Sequence, residues 1–394
     1  VSDILFLAHR TPYPPDRGDK VRSHHVLKHL STLGRVHLAT FADDHRDLGH
    51  DAVLGTWCAS AQVIRRTKGN PRAALEALAT GRPVSLTAFD APTMRRAVAG
   101  LLAARRYDGI YVYSGQMAQY LPGDARFVMD FVDVDSAKFA GYAATARPPM
   151  RWMLAREARL LGRFEQAVAE RAIATLLVSR AEAELFGAGE HVVAIENGID
   201  TGFFDPAIVR PVASDTPLIV FTGQMDYRPN VDAVRWFAQD VLPIIRRTHP
   251  TVRFAIVGRK PTAAVQALAG DAVIVTGEVA DVRGWIAAAR VVVAPLLLAR
   301  GIQNKVLEAM AMARPVVASQ AAAEGIDHGG TLRVAADAAA HAGEVVHLLD
   351  DRSAADALGA AARARVIARY GWDACLAPLG GLMGLPPAGN RIAA

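Results

Sequence analysis

Cysteine is nearly absent from this chain of 394 residues: only Cys58 and Cys375 occur, far apart and without the spacing of a metal site. That excludes a disulfide scaffold and a zinc-cysteine centre, and fits a reducing, cytoplasmic home. No apolar run approaches the roughly 18 residues that would cross a bilayer. The opening VSDILFLAHR is too short for a signal peptide and leads directly into a strand. Aromatic residues make up 7% of the chain and are not interleaved with the basic clusters, so a nucleic-acid surface is not expected. No GxGxxG stands in the first strand–loop–helix, which removes a dinucleotide site there.

What is present describes a large globular protein. The content is 52% hydrophobic and 21% charged, enough core for two domains at this length. The net charge of +5 is modest but uneven: Arg46 to Arg106 holds ten lysines and arginines against four carboxylates. Such a face could rest on anionic lipid headgroups or hold a pyrophosphate-linked lipid, or it could be solvated helix surface.

Strand and helix patterns alternate along the whole chain, which implies parallel sheets wrapped by helices. The first half begins with a strand at Ile4–Ala8, a proline-rich loop ending in Gly18, a helix from Asp19 to Leu33 and a strand at Val36–Phe41. Tyr107–Tyr113 and Phe127–Val132 read as further strands, the first followed by Ser114 and Gln116, which could position hydroxyls. Arg151–Ala172 reads as a long charged helix. Asp130, Asp133 and Asp135 follow the second of those strands. Asp133-Val-Asp135 matches a cation-binding DxD, a weak signal read here mainly as caps, structural groups or acceptor contacts.

The second half restarts at Leu218–Gly223 and carries further strand ends at Val252–Gly258 and Val273–Gly277. Its centre is VVVAPLLLARGIQNKVLEAMAMARPVVAS, residues 291–319: a strand, a loop, a short helix from Gln303 to Met312, and another strand. Ligands bind such sheets where strand ends lead into helix N-termini. Gly301, Ile302, Gln303 and Asn304 bring the loop to the helix start, where N–H groups and the dipole attract phosphate. Arg300 and Lys305 add positive charge, and Glu308 offers two acceptor oxygens suited to a ribose diol. The alternative is a solvated carboxylate and a decorative lysine.

GIQNKVLEAMAMARPVVAS resembles the nucleotide-sugar signature of GT-B glycosyltransferases of the family 4 type, nearest the sugar transferases of PEP-CTERM/exosortase polysaccharide systems. The resemblance runs from Ile4 to about Trp372. It implies two Rossmann-like domains facing across a cleft, residues 1–203 for the acceptor and 218–365 for the donor. A linker at 204–217 would join them, and residues 366–394 would cross back. It implies Glu308 on the donor ribose, with Arg300, Lys305 and Glu308 as the catalytic group. Gly18, Gly223, Arg228, Gly258, Gly277, Val279, Gly301, Ile302, Gln303 and Asn304 would form the donor surface, with Gly277 to Val279 beside the base. The family's second glutamate is replaced by Arg300, which is assigned to the diphosphate. Arg10, Asp16 and Gly18 of the first loop are candidates for the acceptor or the phosphates.

The implied activity is transfer from a nucleotide sugar, a UDP-sugar by base rate, to a hydroxyl of a lipid-linked glycan in exopolysaccharide synthesis, with retention. No cofactor and no metal are expected. The partners would be donor, glycan acceptor and the anionic inner face of the cytoplasmic membrane. An epimerase or phosphorylase of the same architecture, or a non-catalytic nucleotide-sugar binder, stays open.

Overall fold

The computed structural model describes all residues except 16–17, 188, 190, 300–301 and 387–394. Two compact units are formed, Val1–Asn197 with the C-terminal residues from Cys375, and Gly198–Ala374.

The first unit contains β1 (Ser2–Ala8), α1 (Gly18–Leu33), β2 (Gly34–Ala42), β3 (Cys58–Arg65), α2 (Asn70–Thr80) and α3 (Pro92–Ala104). It continues with β4 (Gly109–Tyr113), β5 (Val128–Val132), α4 (Asp135–Thr145), α5 (Met150–Ala169), β6 (Ala174–Leu177), α6 (Arg180–Phe186) and β7 (Val192–Ala194). The seven strands are parallel in the order β3-β2-β1-β4-β5-β6-β7. Ile4 to Ala8 are fully buried, the continuous apolar run of a strand covered on both faces. The chain's last helical segment, Leu379–Leu382, belongs to this unit, and Met383 lies against Gly109 at the start of β4.

Helix α1 departs from the usual amphipathic pattern, for Lys20 and Arg22 are both 1% exposed. Buried charges require partners. Lys20 Nζ donates to Asp47 Oδ1 at 2.9 Å, and Arg22 Nε donates to Asp130 Oδ2 at 2.9 Å. Arg22 Nη1 also reaches the Ile195 carbonyl and Asn197 Oδ1, while the Tyr111 hydroxyl donates to Asp130 at 2.6 Å. Asp130 is therefore a structural anchor joining α1, β4, β5 and the segment after β7.

The second unit contains β8 (Leu218–Thr222), α7 (Arg228–Trp236), β9 (Arg253–Val257), β10 (Val273–Gly277), α8 (Arg283–Ala288) and β11 (Ala289–Ala294). Then come α9 (Asn304–Ala311), β12 (Val316–Ser319), β13 (Arg333–Ala335), α10 (Ala338–Asp350) and α11 (Arg352–Tyr370). The six strands run parallel in the order β10-β9-β8-β11-β12-β13. Residues 198–217 pack on this unit: Ile199 N–H donates to the Tyr370 carbonyl at 2.7 Å, Asp205 pairs with Arg363 at 3.2 Å, and Val212 N–H donates to the Gly284 carbonyl. The order reverses direction between β8 and β11, so the loops after these two neighbouring strands diverge and leave a crevice at their carboxyl ends.

Candidate functional site

That crevice is a pocket of about 470 Å³, formed entirely by the second unit. Four neighbouring strands contribute their carboxyl ends: Thr222 to Gln224 from β8, Val257 to Arg259 from β9, Glu278 and Val279 beyond β10, and Asn304, Lys305 and Glu308 from α9 after β11. Two glycines make the floor possible. A Cβ on Gly258 would stand 1.7 Å from the Gly223 carbonyl oxygen, at φ 154°. A Cβ on Gly223 would meet Asn230 Nδ2 at 2.8 Å. The two strand ends approach so closely that backbone, not side chain, faces the crevice.

Asn230, buried on the first turn of α7, holds the site together. Its Nδ2 donates to the Gln224 carbonyl at 2.9 Å, and its Oδ1 accepts from Lys305 Nζ. Lys305 lies 4.5 Å from the Phe221 ring centre, a cation over an aromatic face. Burial lowers the ammonium to about 8, with Glu308 opposing the shift. Burial in turn raises the Glu308 carboxyl above its ordinary value, and Lys305 pulls it back. Among the described residues no donor hydrogen-bonds to Glu308, so its oxygens face the pocket with acceptor capacity to spare. The start of α9 adds the partial positive charge of a helix N-terminus. Arg259, whose Nη2 donates to Gln224 Oε1 at 3.0 Å, supplies a second cation at the rim. A carboxylate for a diol, two cations and a helix start for an anion, and apolar Val279 and Val282 for a flat ring share one cavity.

Gly223, Gly258, Val279, Asn304, Lys305 and Glu308 thus come together. Gly277, at φ 67°, closes β10, where its carbonyl accepts from Gly258 N–H, and does not itself line the pocket. Ile302 packs against the core, and Gln303 is the N-cap position of α9. Arg228 is a correction. Its side chain is 92% exposed and pairs with Asp232 one turn along α7, because position 228 starts the helix on its outer face. Arg300, Gly301 and Asp16 lie outside the described residues. Asn230 and Arg259 were missed. Arg259 had a signal, since Gly-Arg-Lys ends a strand adjacent to β8, whereas Asn230 reaches the pocket only through the packing of α7.

In the first unit Gly18 opens α1, and Arg10 bridges Asp19 and Asp43 at 2.5 Å each. Arg66 holds the other oxygen of Asp43 at 2.7 Å. Ser114 donates to Gln116, and both Ser114 and Val132 have left-handed φ, 73° and 72°. Two such non-glycine residues at adjacent strand ends mark local strain. Asp133 is exposed, and Asp135 starts α4 with Lys138 at 3.8 Å. Among the described residues no group of three His, Cys, Asp or Glu is placed to hold a metal.

A second cavity, about 510 Å³, lies between α4, α5 and α6, walled by Ala137, Ala140, Ala155, Ala158 and Phe186 around Glu165. Burial pushes the Glu165 carboxyl up to about 7, against the hydrogen bonds from Ser136 N–H and hydroxyl. A carboxyl raised in the fold favours the protonated protein. Stability therefore falls as pH rises from its unfolded value near 4.5 through 7, by about 3 kcal/mol at most. Thermal melts at pH 5 and pH 8 should show this loss in the wild type and a smaller one in Glu165→Gln. Equal losses in both would disprove it.

A family model described as glycosyl transferases group 1 matches residues 216–351. No curated protein matches the sequence. Solved structures match the chain over nearly its whole length at low identity. Anabaena Alr3699/HepE in complex with UDP aligns at TM-score 0.61 and 16% identity, covering 97% of this chain and 99% of that one. Sucrose-phosphate synthase from Thermosynechococcus elongatus aligns at 0.59 and 19%, covering 97% and 98%. WaaG, a glycosyltransferase involved in lipopolysaccharide biosynthesis, aligns at 0.57 and 14%, covering 97% and 100%. The chain has the GT-B fold, and within its second unit residues 216–351 match the group 1 glycosyl transferase model.

Proposed function

We propose that the protein is a glycosyltransferase of the family 4 type that moves a sugar from a nucleotide donor, a UDP-sugar, to a hydroxyl of a lipid-linked glycan. The observation that carries the reading is the pocket at the β8/β11 reversal, with a carboxylate that no described residue hydrogen-bonds at one place and Lys305, Arg259 and a helix start at another. Glu308 takes the ribose hydroxyls, Lys305 and the α9 N-terminus take the diphosphate, and Val279 lies beside the base. The UDP complexes of the Anabaena protein support uracil as the base. Arg300 and Gly301, by their place in the sequence, are assigned to the same diphosphate, and Gly18, Arg10 and Asp16 to the acceptor side. A role in exopolysaccharide assembly, of the kind associated with PEP-CTERM systems, follows from the resemblance.

With retention, the bond from the anomeric carbon to the diphosphate oxygen breaks as the bond to the acceptor oxygen forms on the same face. The acceptor proton passes to the leaving diphosphate. The protein's part is to hold the diphosphate charge and orient both sugars. Incubation of a labelled UDP-sugar with a lipid extract tests this: a labelled glycolipid supports it, and donor turnover without one contradicts it.

The pH dependence of binding is a further test. Lys305, at about 8, loses its charge as pH rises through that value. UDP affinity measured by calorimetry from pH 7 to 9 should fall, whereas Lys305→Met should bind about 10- to 100-fold more weakly at pH 7 and stay flat. A wild type with no such fall would remove Lys305 from the diphosphate.

A further inference from the structure

The basic stretch at residues 46–106 is partly neutralised by carboxylates, while Arg65, Arg72, Arg96 and Arg106 are exposed and make no ion pair with a described residue. Arg66 holds Asp43, Lys68 holds Glu76 at 2.7 Å, and Arg82 and Arg95 share Asp90 at 2.6 and 2.9 Å. A further run of unpaired charge, here beside exposed apolar side chains, lies on a helical hairpin of the first unit. Between Ser136 and Phe164, along the α4–α5 hairpin, six lysines and arginines stand against the single carboxylate Glu157. That carboxylate is buried, accepting from Val84 N–H, Ser85 N–H and the Ser85 hydroxyl. Arg147 and Arg151 are exposed and make no ion pair with a described residue. Between and beside them the bend presents Met150, Trp152, 62% exposed, and Met153. Trp152, Arg159 and Arg163 then continue along one exposed side of α5.

A large aromatic and two methionines left in water are costly unless something covers them. The flanking charge decides what. A second copy meeting this bend about a two-fold axis would set Arg147 and Arg151 against their own counterparts. An anionic bilayer meets both needs: its headgroup layer accepts tryptophan and methionine, and its phosphates accept arginine. We propose that the tip of the α4–α5 hairpin docks the protein on an anionic membrane surface, with Met150, Trp152 and Met153 in the headgroup layer and Arg147 and Arg151 on lipid phosphates. The inference stands on this surface and not on the transferase reading, so a failure to bind nucleotide would leave it intact.

Co-sedimentation with vesicles tests it, using phosphatidylcholine alone and phosphatidylcholine mixed with phosphatidylglycerol, without nucleotide. The full chain should bind the mixed vesicles and not the neutral ones. Each arginine lost should weaken binding about fivefold, so Arg147→Glu with Arg151→Glu should weaken it by about 25-fold or more. Trp152→Ala should weaken it by roughly tenfold. All three positions are exposed, so the melting temperature should not move. Arg96→Glu with Arg106→Glu, the control in the earlier basic stretch, should have a smaller effect. No binding to mixed vesicles would overturn the proposal. So would binding that the hairpin variants leave unchanged, or self-association that Trp152→Ala abolishes without vesicle binding.

Discussion

Glu308→Ala should lower the affinity for UDP by about 100-fold and reduce sugar transfer by a similar factor. Two hydrogen bonds from ribose hydroxyls to a carboxylate are together worth about 3 kcal/mol, allowing for water that replaces them. The side chain is placed for this by α9. Its neighbours Val306, Leu307, Ala309 and Met310 are buried in the core, so the helix cannot rotate to withdraw it. Removing the carboxylate should leave the fold intact, because no described residue depends on it for a hydrogen bond. Glu308→Gln, which keeps one acceptor, should recover part of the loss. Equal affinity in wild type and Glu308→Ala, by calorimetry, would take the ribose away from this residue.

Asp130→Ala should destabilise the first unit by about 3–5 kcal/mol, because it leaves the Arg22 guanidinium buried without its counter-charge. The pair is 2.9 Å apart with both side chains at 1% exposure or less, and Tyr111 would lose its acceptor as well. The cost lies in the orphaned charge rather than in the lost attraction. A double replacement, Arg22→Met with Asp130→Leu, should therefore be less harmful than Asp130→Ala alone. Urea unfolding of Asp130→Ala, of Arg22→Met alone and of the double replacement checks this. Additive losses in the double variant would mean that the two side chains act independently.

The architecture was legible because parallel strands buried on both faces read as continuous apolar runs: Leu218–Thr222 and Val291–Ala294 need no tertiary information. The pocket was legible wherever its residues end such strands or start the helix that follows. Gly223, Gly258, Lys305 and Glu308 are of this kind. Asn230 was not, because its role depends on α7 folding back over the β8 turn, a contact between loops that sequence spacing does not encode. Arg228 shows the converse: the resemblance implies it on the donor surface, but proximity along the chain does not fix which side of a helix faces the ligand. The buried Lys20 and Arg22 were hidden for a related reason, since long cations within a helix pattern look like solvated surface until the strands bring Asp47 and Asp130 beneath them. Helix α4 carries few large apolar residues, so its periodicity is faint and the hairpin it makes with α5 emerges only in three dimensions.

The central claim is that a nucleoside diphosphate occupies the pocket at the β8/β11 reversal. A crystal structure of the protein with UDP tests it most directly. The account predicts the ribose hydroxyls within hydrogen-bonding distance of Glu308 and the diphosphate beside Lys305 at the start of α9, with the base against Val279. UDP bound elsewhere, or seated here with its ribose away from Glu308, would contradict it.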